Sequence, residues 1–189
     1  MAAKQGRRYD QAQSLFRETS DFIRQELGMD HPAMARILVT QSRLHELLKQ
    51  IREYEQALIE AYRIPDLYSD GEVKAALKEN RYFVDKETVA RKLGDFYWDQ
   101  RDYAKGFTWY ERAYHAAPAL ETTEYRRNLK LASSSAGMMV TACMLGDWDT
   151  AERAMVELKH RIKDVEATSQ ERLQYWIRTS EPRLQRRRC

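Results

Sequence analysis

The feature that most constrains this chain is a short aromatic pattern that recurs four times at long intervals. Each copy consists of a polar pair, an aromatic residue, two variable residues and then alanine or glycine. The aromatic residues are Tyr9, Tyr54, Tyr103 and Trp148, which are separated by 45, 49 and 45 residues. Periods of this size are typical of solenoids built from stacked helical units. The pattern therefore predicts a chain of helical hairpins.

The small residue that follows each aromatic residue by three positions predicts how the two helices of a hairpin touch. These small residues are Ala12, Ala57, Gly106 and Ala151. An aromatic side chain at the start of the second helix would fill the gap left by the turn, and a small residue one turn later lets the backbones approach. Glycine costs about 1 kcal/mol relative to alanine inside a helix. We therefore expect close contact at Gly106.

Composition agrees with long helices. The 189 residues are 43% hydrophobic and 32% charged, with only 7 Gly and 4 Pro, so the chain can bury a core without disulfides or metal and has few breaks. We predict an all-α fold: a right-handed superhelical solenoid with about three full repeats, a partial first repeat and a C-terminal capping helix. The expected helices are 8–27, 33–51, 53–66, 71–82, 86–100, 102–117, 121–145, 147–164 and 168–179.

These helices predict one repeat domain over residues 1–180, followed by a basic tail at 181–189. The predicted units are hairpins near 7–27, 33–66, 86–118 and 121–164, an extra helix or loop at 69–86, and a capping helix at 168–179. Gly6 and Tyr9 correspond to the end of one helix and the start of its partner, so the first hairpin lacks most of a helix. Phe16, Phe22 and Ile23 would then meet water, unless the chain is part of a larger solenoid or another chain covers them.

Several residues of the third unit resemble a tetratricopeptide repeat. They are Leu93, Gly94, Tyr97, Tyr103, Gly106, Tyr110, Ala113 and Pro118, with Gly106 in place of the usual alanine. The stretch 27–32, with Ala35 and Leu38, is similar to the link between repeats in kinesin light chains and related long-period proteins. Pro118 is expected to end its helix. In the 27–32 stretch, Asp30 is expected to cap the next helix, and Pro32 to begin it.

We find no enzyme signature in the sequence. The seven glycines stand singly and form no phosphate-binding loop, and the four histidines are far apart along the chain. Ser133, Ser134 and Ser135 fall within a predicted helix and lack the sharp turn that exposes a catalytic serine. Pairs of acidic residues at helical spacing are best explained as solvated faces. We predict no catalysis, no cofactor and no metal.

A stack of hairpins presents the first helix of each hairpin on its concave face, where such proteins bind peptides or helices. The predicted function is therefore a non-catalytic protein–protein interaction module, an adaptor or a structural subunit of an assembly. Arg91 would pair with a partner carboxylate, and Trp98 would be an aromatic anchor. The predicted groove residues are Ser42, Glu46, Lys49, Arg91, Asp95, Trp98, Asp99, Val140 and Met144.

Two alternatives concern this groove. Trp98 is equally compatible with packing between hairpins. The apolar end of the groove, around Val140 and Met144, could be covered by the last helix through Leu173, Trp176 and Ile177, since solenoids end in a cap.

The net charge of +3 is small, and most basic residues alternate with acidic ones. The exception is Arg186-Arg187-Arg188, which is either a solvated tail or a contact for an acidic partner. The alternative function is a regulatory or nucleic-acid-associated protein that uses this tail. The two cysteines, Cys143 and Cys189, indicate no disulfide framework, and the N-terminus shows no secretory signal. We therefore predict a reducing compartment, by default the cytoplasm.

Overall fold

The computed structural model describes residues 2–69, 71–72, 75, 84–120 and 123–187, of which 2–7 and 118–120 are described by their backbone alone. The chain divides into two compact units, Met1–Asp85 and Lys86–Cys189. The described residues are all-α, as predicted: they form eight α-helices, and within each unit successive helices pack against each other as antiparallel pairs. None of these helices is both long enough and apolar enough to cross a membrane.

Between residues 2 and 69, the described part of the first unit contains three α-helices. They are α1 (Ala2–Glu26), α2 (Pro32–Leu47) and α3 (Ile51–Arg63), and a 3-10 turn follows at Ile64–Leu67. Helix α2 packs against both α1 and α3. Met34, Leu58 and Ala61 are almost fully buried between these helices. The predicted extra helix at 71–82 lies mostly outside the described residues.

Helix α1 corrects the prediction for the start of the chain. Residues 2–26 form one continuous helix, so Gly6 lies inside it and does not separate two helices. Tyr9 is likewise within α1 rather than at a helix start. A single glycine lowers helix stability by only about 1 kcal/mol, which the surrounding helical residues outweigh. Ile23 is buried, whereas Phe22 is 61% exposed, so only part of the predicted apolar face meets water.

The cap of α2 also differs from the prediction. The N-cap residue is His31, whose Nδ1 accepts a hydrogen bond from the backbone N–H of Ala33 at 3.2 Å. Asp30 instead uses its carbonyl oxygen, which accepts from the hydroxyl of Tyr68 at 3.0 Å. Pro32 begins the helix as expected, because the first helical residue needs no N–H donor.

The described residues of the second unit form five α-helices. They are α4 (Lys86–Asp99), α5 (Tyr103–Leu120), α6 (Glu124–Leu145), α7 (Trp148–Arg161) and α8 (Ala167–Gln185), with a 3-10 turn at Ile162–Asp164. Helices α4 to α7 pack each against the next, and α8 packs on both α6 and α7. The core between α6, α7 and α8 includes Met139, Leu158, Leu173 and Leu184.

Three hairpins turn in the same way. The turn between α2 and α3 has Lys49 at φ 56°, and the turns at Arg101 and Gly146 have φ of 59° and 76°. Each turn closes with two backbone hydrogen bonds of the Schellman type. The bonds are Lys49 N to Glu46 O, Gln50 N to His45 O, Arg101 N to Trp98 O, Asp102 N to Tyr97 O, Gly146 N to Cys143 O and Asp147 N to Ala142 O.

These turns correct the register predicted for the second hairpin. Helices α5 and α7 begin at Tyr103 and Trp148, but α3 begins at Ile51, so Tyr54 lies one turn inside its helix. The buried residues confirm the shift, because they recur with one spacing in all three helices. They are Tyr54, Ala57, Leu58 and Ala61 in α3; Gly106, Trp109, Tyr110 and Ala113 in α5; and Ala151, Ala154, Met155 and Leu158 in α7.

Some of the remaining predicted packing positions are buried, and others, such as Tyr103 and Trp148, are half-buried. Leu93, Gly94, Tyr97 and Ala113 are buried, whereas Ala12 is half-buried on α1. The close contact expected at Gly106 is present. A Cβ atom added there would stand 3.3 Å from Cγ2 of Thr141 and 3.6 Å from the carbonyl oxygen of Gly94.

Two helices continue past the ends predicted for them. Helix α5 runs to Leu120, so Pro118 lies in its last turn and does not end it. Helix α8 runs to Gln185, although the tail was predicted to start at residue 181. Its residues Ser180 and Leu184 are buried, and this packing explains why the helix continues through Pro182.

Only one of the two cysteines lies in the described part of the chain. Cys143 is 4% exposed on α6, whereas Cys189 lies outside the described residues. The cysteines therefore give no support to the predicted reducing compartment, which stays a prediction.

Candidate functional site

A groove of about 580 Å³ lies in the second unit. We call it the α4–α6–α8 groove, because these three helices form its walls and Tyr110 of α5 lies at its base. The lining residues are Glu87, Thr88, Arg91, Asp95, Trp98 and Asp99 of α4; Leu129, Lys130, Ser133, Ala136, Gly137 and Val140 of α6; and Thr168, Ser169, Arg172, Leu173 and Trp176 of α8.

Most of the groove residues predicted for this unit lie together here. Arg91, Asp95, Trp98, Asp99 and Val140 all line the groove. Met144, by contrast, is 40% exposed and does not line it. Their role in binding a partner stays a prediction.

Arg91 is already paired within the α4 wall. Its Nε donates to Oε1 of Glu87 at 3.1 Å, and its Nη1 lies 3.9 Å from Oδ2 of Asp95. The Glu87 side chain has no exposed surface, and this guanidinium compensates its buried charge. Arg91 is thus a counterion within the protein, and its pairing with a partner carboxylate stays a prediction.

Tyr110, at the base of the groove, makes a hydrogen bond to Asp95 in the middle of the α4 wall. Its hydroxyl donates to Oδ1 of Asp95 at 2.7 Å. Burial is the main cause that raises the pKa of Tyr110 far above its usual value, and the nearby charges of Asp95 and Asp99 raise it further. The hydroxyl therefore stays protonated and keeps donating, which holds Asp95 in one orientation. Asp95 and Asp99 are four residues apart on α4, so they are neighbours on one face of the helix.

Two glycines leave the space that the Tyr110 ring occupies. An added Cβ atom would lie 2.7 Å from the ring at Gly94 of α4 and 2.4 Å from it at Gly137 of α6. Any larger residue at either position would collide with the ring. Gly137 and Glu87 were not singled out from the sequence. The only sequence signal for Gly137 is a glycine in the middle of an apolar helix, where it costs helix stability.

Aromatic side chains lie on two walls. Trp98 is half-buried, and its ring is 5.2 Å from that of Tyr103 in a tilted arrangement. On the α8 wall, Leu173 is 5% exposed, while Trp176 and Ile177 pack partly buried against the same core. Helix α8 thus packs over the apolar end of the groove, as expected if it caps the predicted repeats. It does not fill the groove, because its residues line a cavity shared with α4 and α6.

The first unit has a smaller cleft of about 370 Å³, and it does not use the predicted residues. Ser42 is fully buried and donates to the carbonyl oxygen of Val39. Glu46 and Lys49 are exposed but do not line the cleft. Among residues 41–50, the cleft is lined by Gln41, His45 and Gln50 instead. Residues 41 and 45 precede the predicted 42 and 46 by one position, and one residue rotates a helix face by about 100°.

The structure also gives the positions of the three serines and of part of the arginine tail that the sequence analysis considered. Among the described residues no group of three or more His, Cys, Asp or Glu side chains could hold a metal ion. Ser133 lines the groove, and the hydroxyls of Ser134 and Ser135 are buried without a hydrogen-bond partner. Arg186 and Arg187 are exposed after α8, and Arg188 lies outside the described residues. A role for this tail in binding nucleic acid stays a prediction.

In comparisons with known proteins, no family model matches the chain and no curated protein sequence matches it.

Proposed function

We propose that this chain is a tetratricopeptide-like protein that binds a segment of another protein in the α4–α6–α8 groove and catalyses no reaction. The observation that carries the proposal is the groove itself. It is a cavity of about 580 Å³ with tryptophan on two walls, Trp98 on α4 and Trp176 on α8. Cavities of roughly 300–1,000 Å³ are typical of ligand sites, and tryptophan is enriched among residues that dominate binding energy at protein interfaces.

The repeat-like geometry supports the finer fold. Three hairpins share Schellman turns with a left-handed residue at the same place. Their second helices bury the same four positions, as Tyr54, Gly106 and Ala151 illustrate. Recurrent hairpins that each bury one face on the next are the building principle of helical solenoids. We therefore retain the superhelical tetratricopeptide-like architecture as part of the proposal.

The rigidity of the α4 wall supports binding over a purely packing role. Glu87 holds Arg91, and Tyr110 holds Asp95, so these side chains are fixed before any partner arrives. A site whose side chains are already ordered loses less conformational entropy on binding. Trp98 is similarly held by Tyr103 but is only half-buried, which leaves part of its surface for contact.

The proposal is tested by blocking the groove. Ser133 lines it and is half-buried, so Ser133→Arg would place a long charged side chain in the cavity. Val156 is 69% exposed on α7 and does not line the groove, which makes Val156→Arg the matched control. Tagged variants are purified from the native host, and co-purifying proteins are quantified by mass spectrometry, with folding checked by circular dichroism.

We expect a partner that is recovered with the wild type and Val156→Arg, and that is lost with Ser133→Arg and Trp98→Ala. If the wild type and the three folded variants all recover the partner equally, the groove does not bind it. The variant Arg91→Glu is unsuitable here, because it would place a second carboxylate beside the buried Glu87.

A further inference from the structure

One face of helix α1 exposes apolar side chains. Six exposed residues follow one another at spacings of three or four positions, so they form a single stripe along the helix. We call it the α1 stripe, and its residues are Arg8, Gln11, Leu15, Thr19, Phe22 and Glu26. None of them lines the smaller cleft or the α4–α6–α8 groove. The α1 stripe is therefore a surface distinct from both cavities.

The middle of the α1 stripe is apolar. Leu15 is 63% exposed, and Phe22 is 61% exposed. Between them, the hydroxyl of Thr19 donates to the carbonyl oxygen of Leu15 at 2.7 Å, so this hydroxyl needs no partner outside the helix. Burial of these three side chains would therefore leave no polar group of theirs unsatisfied. It would remove apolar surface from water, which favours association.

The two ends of the α1 stripe carry opposite charges. Arg8 lies towards the N-terminal end, and Glu26 is the last residue of the helix. Both side chains are exposed, and in the described part of the chain neither makes an ion pair or a hydrogen bond. A carboxylate in the last turn of a helix is unfavourable, because the carbonyl end of the helix is itself partly negative. A cation brought to Glu26 from outside the chain would offset this cost.

The α1 stripe is complementary to itself when its direction is reversed. In an antiparallel pair that sets Leu15 against Phe22 of a second copy, residue 8 lies opposite residue 29, since 8 precedes 15 and 29 follows 22 by seven positions. Glu26 is three residues from that point, about 4.5 Å along the helix, which the side chains of Arg8 and Glu26 can span. Two-fold symmetry forms each contact twice. A parallel pair would instead bring like charges together at both ends.

We propose that the α1 stripe is a dimerisation surface, and that its occupant is the same stripe of a second copy of this chain in antiparallel orientation. Leu15 packs against Phe22 of the second copy, and Arg8 pairs with its Glu26. One pair of helices buries less surface than the roughly 1,600 Å² of a standard interface, so the dimer is weak and its population depends on concentration. This inference is independent of the proposed function, because no residue of the stripe lines the groove.

The test is sedimentation velocity of the whole chain over a concentration series in the micromolar range, with a reducing agent that prevents disulfide links between chains. Phe22→Asp places a charge in the apolar middle of the α1 stripe. Val156→Asp is the matched control, because Val156 is 69% exposed on α7 and is not part of the stripe. Circular dichroism checks that each variant keeps its helices.

Three further variants test the orientation of the pair. Arg8→Glu and Glu26→Arg each place like charges together at both ends of an antiparallel dimer. The double variant with both changes exchanges the two charges and makes the ends complementary again. In a parallel dimer, neither the single changes nor the double change would relieve the repulsion between identical residues.

We expect the wild type and Val156→Asp to dimerise reversibly with the same dissociation constant. Phe22→Asp should raise this constant about tenfold or more, because the apolar contact is lost on both sides of the two-fold axis. Each single charge reversal should raise it several-fold, as expected for exposed ion pairs. The double variant should return it to near the wild-type value.

A wild type that stays monomeric throughout the series would overturn the inference, and it would leave the proposed function of the groove untouched. A dimer that Phe22→Asp weakens no more than Val156→Asp would also overturn it, because another surface would then hold the two copies together. If the double charge variant dimerises as poorly as the single variants, the antiparallel pairing of Arg8 with Glu26 is wrong.

Discussion

The ring of Tyr110 lies so close to Gly137 that a Cβ atom at residue 137 would stand 2.4 Å from its Cδ1 atom. On the opposite side, Gly94 leaves the same kind of space, at 2.7 Å. The Tyr110 ring of α5 thus occupies space that is free because α4 and α6 each have a glycine at the contact. Its hydroxyl then reaches Asp95 at the base of the groove. Packing within the hairpins and the shape of the groove depend on the same contact.

The substitution Gly137→Ala should therefore destabilise the protein. Alanine is the better helix former by about 1 kcal/mol, but the added methyl group would force the ring or the helices apart, which typically costs about 1–3 kcal/mol. Because Gly94 closes the other side, the ring has no free space to move into. We expect a lower free energy of unfolding, measured by urea denaturation followed by circular dichroism.

A double-mutant cycle with Tyr110→Leu separates the two effects. The smaller side chain leaves room for the methyl group, so Gly137→Ala should cost less in this background than in the wild type. If Gly137→Ala instead stabilises the wild type by about 1 kcal/mol, as on an open helix surface, the close contact described here is wrong.

The turn between α4 and α5 should be improved by glycine. Arg101 has φ 59°, a left-handed conformation that costs a non-glycine residue roughly 1–2 kcal/mol. The equivalent turn between α6 and α7 already uses Gly146 at φ 76°. Part of the gain is offset by the greater freedom of glycine in the unfolded chain. We expect Arg101→Gly to raise the free energy of unfolding by about 0.5–1 kcal/mol, with a higher Tm.

The reverse substitution at the equivalent turn provides the control. An added Cβ atom at Gly146 would meet no atom within 4 Å, so Gly146→Ala tests backbone conformation without steric contact. It should lower the free energy of unfolding by about 1 kcal/mol. Changes of the same sign in both variants would contradict the shared turn geometry.

The stability of the second unit should depend on pH through Glu157. Its Oε1 accepts from the hydroxyl of Tyr114 and from Nε of Arg161, both at 2.7 Å. Burial alone would raise the pKa of Glu157, but these hydrogen bonds and the charge of Arg161 outweigh it and lower the pKa below 4.5. A carboxylate with a lowered pKa in the folded state stabilises the protein above its unfolded pKa, and this stabilisation is lost as pH falls through the folded pKa.

We therefore expect the wild type to lose stability as pH falls below about 4.5, and Glu157→Gln to flatten this part of the curve. Glu152→Gln, at an exposed position of α7, is the matched control and should keep the wild-type slope. The measurement is the urea midpoint across a pH series. Identical slopes for Glu157→Gln and the control would show that this network carries none of the acid sensitivity.

The sequence predicted the helical hairpins well because hydrophobic spacing is local information. The second hairpin shows what hydrophobic spacing cannot determine, which is the position of the turn along the chain. A shift of three residues turns a helix face by about 300°, which is nearly a full turn. Tyr54 could therefore be aligned with Tyr103 or with Gly106 without changing the buried face. The difference appears only in the turn at Lys49, a lysine in a conformation that sequence patterns assign to glycine.

The groove was predictable only in part for a similar reason. Asp95, Trp98 and Asp99 lie on the face expected from helical periodicity. The partners that fix the wall could not be found in this way, because Tyr110 meets Asp95 from another helix and Glu87 is buried by the fold. In the first unit, the prediction was displaced by one position, from Gln41, which lines the cleft, to Ser42, which is buried.

The most direct test of partner binding in the groove is photo-crosslinking from Val140. This residue lines the groove and is half-buried, whereas Val156 is 69% exposed on α7 outside it. A photoreactive phenylalanine is placed at either position in otherwise native protein, and the adducts formed in the native host are mapped by mass spectrometry. The account predicts that position 140 labels one short segment of a protein partner, that Trp98→Ala abolishes this adduct, and that position 156 does not form it. Adducts that are the same at both positions, or that persist with Trp98→Ala, would contradict it.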